Sequence, residues 1–183
     1  MKVQGRIFTI SNVLSFSRII IVWPILIYLS KGTNEGNWIA FWLMIIGAST
    51  DFFDGLLARA LNQQSDVGRI IDPLADKIGL GLIGIILTQT SGLPIWFLIL
   101  IIARDLIILL LGSQIIKKSE KIPESNWYGK TAVGGIAAVV LFYTLQVSPW
   151  MLISLYTTVV LLLLSILSYL KVYLNFIRTQ STS

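Results

Sequence analysis

The sequence predicts an all-α integral membrane protein, a single bundle of six transmembrane helices. The composition indicates a membrane protein, because 55% of the 183 residues are hydrophobic, 13% are charged and the mean hydropathy is +0.81. The apolar residues form runs of about 20, the length that a helix needs to cross a bilayer. Polar or glycine-rich segments separate the runs. We find no repeat or soluble second domain, so residues 1–183 are expected to form one domain.

These separators delimit the first three predicted helices. The first helix is expected from Asn12 to Ser30. Residues 31–37 are rich in glycine and asparagine, which predicts a loop. The second helix is expected from Trp38 to Arg59 and the third from Arg69 to Thr88, with residues 60–66 as the polar loop between them.

The second half of the chain repeats this alternation. Residues 90–94 break the chain before a fourth helix, expected from Trp96 to Ile116, and residues 117–127 are polar. The fifth helix is expected from Gly129 to Gln146, and its small residues favour close approach of neighbouring helices. The sixth helix follows Pro149 and is expected to end near Tyr173.

The distribution of lysine and arginine predicts the orientation, because cytoplasmic loops carry an excess of both. With a cytoplasmic N-terminus, the opposite face would hold only Lys31. The cytoplasmic face would hold Lys2, Arg6, Arg59, Arg69, Lys117, Lys118, Lys121, Lys171 and Arg178. Both termini would then lie in the cytoplasm. The protein is expected in the inner membrane of the cell or an equivalent membrane. The first residues contain no small-residue cleavage site, so no removable signal peptide is expected.

Missing residue types exclude several chemistries. The chain has no histidine, which excludes Ser-His-Asp hydrolysis, haem ligation by histidine and most catalytic zinc sites. It has no cysteine, which excludes disulfides and thiolate catalysis. The net charge is +5, but the basic residues cluster between apolar runs. Anionic membrane lipids, and not nucleic acid, are therefore the expected partners.

Four aspartates are concentrated between residues 51 and 76. Asp51 and Asp54 are three residues apart, and Asp72 and Asp76 are four apart, so on helices each pair would share a face. An unpaired aspartate at a membrane helix centre costs about 2.5–3.5 kcal/mol, so the set requires compensation. Divalent Mg²⁺ or Mn²⁺ suits carboxylate and phosphate oxygens. The stretch therefore predicts metal-assisted phosphate chemistry.

The pattern D-x2-D-G-x2-A-R-x8-G-x3-D-x3-D resembles the signature of the CDP-alcohol phosphatidyltransferase family, and every specified position is matched. The resemblance implies a six-helix membrane bundle, often dimeric. Such proteins transfer a substituted phosphate from a CDP-linked donor, here CDP-diacylglycerol, to an alcohol hydroxyl and release CMP. The resemblance implies metal binding by Asp51, Asp54, Asp72 and Asp76. It also implies that Asp76 takes the proton from the acceptor hydroxyl.

The resemblance further implies a nucleotide site around the same stretch. Its expected residues are Asn12, Ser15, Asp51, Gly55, Ala58, Arg59, Ser65 and Gly68. Gly55 lacks a Cβ and permits close approach of the nucleotide to the backbone, with helix packing as the alternative. Arg59 is a fixed cation suited to a diphosphate, with a positive-inside anchor as the alternative. A helix N-cap is an equally good interpretation of Asn12, and a helix-start turn explains Gly68 as well.

Arg104 and Lys130 resemble the basic acceptor pocket of the family and are expected to bind an anionic alcohol. Snorkelling of Lys130 to the membrane interface is the alternative. Arg104 and Asp105 are adjacent, so on a helix they should point about 100° apart and not simply neutralise each other. Residues 72–77, the Arg104-Asp105 pair with its preceding alanine, and residues 129–131 look like the phosphatidylglycerophosphate synthase branch. That likeness favours glycerol 3-phosphate as the acceptor.

Three other functions stay open. The phosphatidylglycerophosphate synthase branch often carries a second arginine about two helical turns after the first, where this chain has Gly112. The Arg104-Asp105 pair also resembles the cardiolipin synthases of the family, whose acceptor is phosphatidylglycerol. Phosphatidylinositol phosphate synthesis is less favoured, because no arginine-rich acceptor loop is evident. A small cation transporter is the alternative from a different class, although its ionisable residues should be spread across the membrane.

Overall fold

The computed structural model describes residues 10–60, 68–119 and 127–181, and the side chains within 20–50, 76–114 and 127–178. These residues are almost entirely helical. The helices are α1 (Ile10–Ser30), α2 (Asn34–Ala60), α3 (Gly68–Thr90), α4 (Ile95–Ser119), α5 (Trp127–Leu145) and α6 (Trp150–Ser181). The described part of the chain is therefore all-α, as predicted.

Helix α2 begins at Asn34, four residues before the predicted start, so the loop prediction is wrong for residues 34–37. Thr33 is the reason. The backbone N–H of Gly36 donates to Thr33 Oγ1 at 3.1 Å, and that of Asn37 donates to the Thr33 carbonyl at 2.9 Å. A threonine N-cap satisfies backbone donors that the first helical turn leaves unpaired, which offsets the weak helix preference of glycine and asparagine.

Helix α6 extends eight residues beyond the predicted end at Tyr173. Leu170, Leu174 and Ile177 continue a helical spacing of three to four residues, although Lys171, Asn175 and Arg178 make the segment more polar. The other helices begin and end within three residues of their predicted bounds.

Membrane-spanning character is evident in the second half of the chain. Within the described side chains, three segments are long and apolar enough to cross a bilayer: Ile95–Gln114, Trp127–Leu145 and Trp150–Arg178. Ile20–Ser30 of α1 is a shorter apolar segment. Large apolar side chains such as Leu109 are exposed, which suits contact with lipid. Three of the predicted spans are thus supported by length and composition, and six spans stay a prediction.

The first compact unit of the chain, Met1–Gly92, is organised around α1, which packs against both α2 and α3. Two glycines permit this packing. A β-carbon added at Gly47 of α2 would lie 3.2 Å from Ile21 Cγ2, and one added at Gly79 of α3 would lie 3.1 Å from Val22 Cγ2. Neighbouring residues of α1 thus contact the glycines of two different helices, and these are the helices that carry the four aspartates.

The second compact unit, Leu93–Ser183, is organised around α6, which packs against α4 and α5. Its buried apolar side chains are Leu93, Phe97, Ala132, Ile136, Val139, Val140, Tyr143, Leu155 and Leu162. Gly135 of α5 meets the buried Thr158 of α6, because a β-carbon at this glycine would lie 2.7 Å from Thr158 Oγ1. The pair marks the closest approach of α5 to α6 among the described glycine contacts.

This contact predicts a stability difference between two adjacent substitutions. Gly135→Ala should lower the thermal midpoint of the purified protein in detergent, because overpacking typically costs about 1–3 kcal/mol. Gly134→Ala is the matched control, since a β-carbon there meets nothing within 4 Å. Both changes bring the same gain in helix propensity, so their difference isolates the steric clash. A Gly135→Ala midpoint at or above that of Gly134→Ala would contradict the packing described here.

Candidate active site

The backbone is helical through both pairs of aspartates, as predicted. Asp51 and Asp54 lie in the second half of α2, and Asp72 and Asp76 lie in the first half of α3. In continuous helices, residues three and four apart lie on the same side. Two helices that α1 contacts therefore each carry one carboxylate pair. Carboxylates are hard oxygen ligands of the kind that Mg²⁺ and Mn²⁺ prefer, so this donor set fits such an ion.

The structure describes only some of the predicted site residues in full. Asp76 is exposed on α3. Several predicted residues lie on described helices but have side chains outside the described residues: Asn12, Ser15, Asp51, Asp54, Ala58, Arg59 and Asp72. Gly55 lies within α2 and Gly68 is the first residue of α3. Ser65 lies outside the described residues, and the metal and nucleotide roles of this group stay predictions.

Arg104 is held at the interface of three helices in the second unit. Its Nη1 donates to Asp105 Oδ1 at 2.8 Å, and its Nη2 donates to Ser165 Oγ on α6 at 2.9 Å. The Arg104 side chain is only 12% exposed, and Ser165 is fully buried. The Nε of Arg104 is buried and has no hydrogen-bond partner within the described part of the chain. Leaving a buried donor unpaired costs about 1–3 kcal/mol, so such groups often mark functional sites.

Arg104 and Asp105 form an ion pair, which their diverging directions on the helix did not lead us to expect. Their Cα–Cβ bonds diverge on the helix, but the arginine side chain is long enough for its terminal nitrogen to reach the adjacent carboxylate. The carboxylate partly offsets the guanidinium charge. Each terminal nitrogen of arginine carries two N–H groups, so the bonds to Asp105 and Ser165 still leave a second N–H on each.

Helix α5 completes the surroundings of Arg104. A β-carbon added at Gly129 would lie 3.2 Å from Arg104 Nη2 and 3.8 Å from Ser165 Oγ. Lys130, the next residue, has an exposed side chain. The structure thus brings the backbone at Gly129, immediately before Lys130, against Arg104. These are the two segments that the sequence predicted to form the acceptor pocket.

Ser165 is the residue of this site that the sequence did not reveal. It lies within an apolar run of α6, 61 residues after Arg104. A serine in an apolar helix commonly bonds a carbonyl of its own helix, as Ser154 does with the Met151 carbonyl at 3.0 Å. The sequence shows only that Ser165 is a polar residue within an apolar run, and this does not indicate its hydrogen-bond partner.

The described part of the chain is all-α, with three helices apolar enough to span a membrane and spaced aspartates on two others, which are the features of a helical membrane protein. The model of the CDP-alcohol phosphatidyltransferase family matches residues 8–170, and the chain belongs to this family. This result confirms the resemblance drawn from the aspartate signature.

Similar proteins fall into two branches of the family. The chain is 33% identical to the cardiolipin synthase (CMP-forming) of Streptomyces coelicolor over 131 residues, 69% of this chain and 60% of that protein. It is 30% identical to a probable phosphatidylglycerophosphate synthase of Mycobacterium tuberculosis over 150 residues, 79% of this chain and 70% of the relative. It is 34% identical to the CDP-diacylglycerol–glycerol-3-phosphate 3-phosphatidyltransferase of Aquifex aeolicus over 124 residues, 66% of this chain and 67% of the relative. The match to the Streptomyces protein thus spans less than two thirds of that relative.

Proposed function

We propose that this protein transfers a phosphatidyl group from CDP-diacylglycerol to glycerol 3-phosphate, producing phosphatidylglycerol phosphate and CMP. The observation that carries the proposal is the complete aspartate signature on α2 and α3 of a CDP-alcohol phosphatidyltransferase. The relative from Aquifex aeolicus is named for this reaction, which supports the choice of acceptor.

The aspartates have two roles in the proposed reaction. Asp51, Asp54 and Asp72, together with Asp76, hold Mg²⁺ or Mn²⁺. When bound, such ions stabilise the negative charge that develops on a diphosphate during in-line displacement. Asp76 accepts the proton of the attacking hydroxyl as a general base. Its side chain is exposed on α3, so the acceptor can reach it.

The nucleotide is bound by the chain around the first aspartate pair. Arg59 supports the diphosphate as a permanent cation. Gly55 lets the nucleotide approach the backbone of α2, because it has no Cβ. The other proposed nucleotide contacts are Asn12, Ser15, Asp51, Ala58, Ser65 and Gly68.

The acceptor is bound by Arg104 and Lys130. The N–H groups of Arg104 that Asp105 and Ser165 do not use can donate to phosphate oxygens, and the exposed ammonium of Lys130 adds a mobile positive charge. The unpaired buried Nε of Arg104 supports a role for this side chain beyond packing. A phosphate ester fits the charge and the donors of this site.

The experiment that tests this function is an assay of the purified protein with CDP-diacylglycerol and competing acceptors. CMP release should require glycerol 3-phosphate, stop on addition of EDTA and return with excess Mg²⁺ or Mn²⁺. Mass spectrometry should identify phosphatidylglycerol phosphate as the lipid product. Cardiolipin as the sole product would overturn the choice of acceptor. If no acceptor supported CMP release, the enzymatic function itself would be wrong.

Cardiolipin synthesis is the second candidate, and two observations favour it. A β-carbon at Gly112 would meet nothing within 4 Å, so no described group fills the space where a second arginine often stands. Asp105 also offsets part of the charge of Arg104. A phosphodiester such as phosphatidylglycerol carries one negative charge and a phosphomonoester up to two, so a partly neutralised arginine suits the phosphodiester. Assays with each acceptor alone distinguish the two reactions.

We also propose that all six helices span the membrane, that both termini and the aspartates face the cytoplasm, and that the protein is a homodimer. The clustering of lysine and arginine on one side supports the orientation. Light scattering in detergent that gave a protein mass of 20.4 kDa, and not twice that mass, would contradict the dimer.

The orientation predicts the labelling of two single cysteines in a chain that has none of its own. Asn34→Cys, at the exposed start of α2, should react with a membrane-impermeant maleimide added to intact cells. Ser119→Cys, at the end of α4, should react only after the cells are opened. The reverse pattern would place the aspartates on the opposite side of the membrane.

A further inference from the structure

We propose that Ser165 is a positioning residue of the acceptor site, whose buried hydroxyl orients the guanidinium of Arg104. The inference rests on the proposed function, in which Arg104 binds the anionic group of the acceptor. Ser165 lies on α6 and Arg104 on α4, so the contact is between two helices that pack against each other.

The hydrogen bond between the two side chains has an ordinary length and is shielded from solvent. Ser165 Oγ accepts from Arg104 Nη2 at 2.9 Å, and Ser165 has no exposed surface. A hydrogen bond with one charged partner is roughly twice as strong as a neutral one. Ser154 of the same helix donates its hydroxyl to the Met151 carbonyl. The Ser165 hydroxyl accepts from a side chain of α4 and so provides a polar anchor for Arg104.

Gly129 leaves space beside the guanidinium of Arg104. The β-carbon position at Gly129 lies 3.2 Å from Arg104 Nη2, 3.8 Å from Ser165 Oγ and 4.0 Å from Tyr169 Cε2. A side chain at residue 129 would therefore press on the terminal nitrogen that Ser165 holds. Glycine at this position leaves the guanidinium room to remain on the serine hydroxyl.

Two anchors on different nitrogens fix the plane of the guanidinium. Asp105 holds Nη1 and Ser165 holds Nη2, so rotation of the group about its last bond is restrained at both ends. The second N–H of each nitrogen then has a fixed direction. A group that is already ordered loses less conformational entropy when it binds a ligand. Without the serine hydroxyl, Asp105 alone would hold the group, and the donors would no longer be aligned for the acceptor.

The test compares Ser165→Ala with Ser154→Ala, which removes a part-buried hydroxyl from the same helix. The acceptor is glycerol 3-phosphate, or phosphatidylglycerol if the assay above identifies that lipid. We expect Ser165→Ala to raise the KM for the acceptor about tenfold. The KM for CDP-diacylglycerol and kcat should change by less than about twofold, as should all three constants in Ser154→Ala. Arg104→Gln should raise the acceptor KM at least as much, and adding Ser165→Ala to it should have no further effect.

The outcomes separate the inference from the function on which it rests. If Arg104→Gln raised the acceptor KM and Ser165→Ala did not, the positioning role would be wrong and the acceptor site would stand. If Arg104→Gln left the acceptor KM unchanged, the proposed acceptor site would fail, and the inference with it. An equal loss for both substrates in Ser165→Ala would indicate a purely structural serine and overturn the proposal.

Gly129→Ala provides a second test if Ser165→Ala does not fold. The added carbon would lie 3.2 Å from Nη2, a side-chain atom and not backbone, so the helices can stay in place while Nη2 is displaced by a few tenths of an ångström. We expect a higher acceptor KM with an unchanged KM for CDP-diacylglycerol. An unchanged acceptor KM in Gly129→Ala would contradict the inference independently of the serine.

Discussion

Asp76→Asn is expected to reduce turnover at least about 100-fold while CDP-diacylglycerol still binds. General-base catalysis typically contributes 10²–10⁴-fold, and an asparagine side chain of nearly the same shape does not take the proton. CMP release under saturating substrates measures the loss. Binding is measured separately, because a ligand that binds the folded state raises its thermal midpoint. CDP-diacylglycerol should therefore still stabilise the variant in the presence of metal.

Glu35→Gln is the matched control for this substitution. It removes an exposed carboxylate from the first turn of α2, in the same compact unit as Asp76, and should leave turnover unchanged. Near-normal turnover in Asp76→Asn would make the assignment of the base wrong. Loss of both turnover and CDP-diacylglycerol binding would indicate that Asp76 acts through metal or substrate binding, without the proposed role as the base.

The second large effect is expected from the other three aspartates. Asp51→Asn, Asp54→Asn and Asp72→Asn should each raise the Mg²⁺ or Mn²⁺ concentration required for half-maximal activity at least tenfold. Mutation of a residue that only orients a metal ligand typically lowers metal affinity about 10–100-fold. Mutation of a direct ligand should lower it at least as much. A metal titration of CMP release measures the change. Excess metal should restore part of the activity in these variants but not in Asp76→Asn.

The same variants should remain folded. Removing one of several neighbouring carboxylates relieves like-charge repulsion when no metal is bound. The thermal midpoint without metal should therefore be equal to or above that of the unmodified protein. Wild-type metal dependence in any one of the three variants would remove that residue from the proposed ligand set.

Much of the fold was predictable because long apolar runs determine where helices form in a membrane protein. The errors occurred at helix ends, where one residue or a short pattern determines at which residue the helix begins or ends. Thr33 begins α2 earlier than its glycine and asparagine content suggests, and the apolar spacing through Leu174 and Ile177 extends α6 into a polar segment. Neither effect changes the number of helices or the positions of the aspartates.

The candidate site was predictable where its residues lie close together in the sequence. The aspartate spacings are short-range, so the sequence indicated both pairs and their helices, and membership of the family favours a transferase over a cation transporter. The environment of Arg104 is not local. Ser165 lies 61 residues away, and its partner becomes evident only when α4 and α6 are packed together. The Arg104–Asp105 ion pair was not predicted, because the direction of a Cα–Cβ bond does not determine where a long side chain ends.

The division of the chain near Gly92 has a consequence for how acceptor preference can evolve. The four aspartates belong to one compact unit, whereas Arg104, Lys130 and Ser165 belong to the other. If these residues have the proposed roles, mutations that alter the choice of alcohol can accumulate in the C-terminal half without changing the carboxylates. Under that division of roles, one activated donor could serve several headgroups, because a change of acceptor would require changes in only three of the helices.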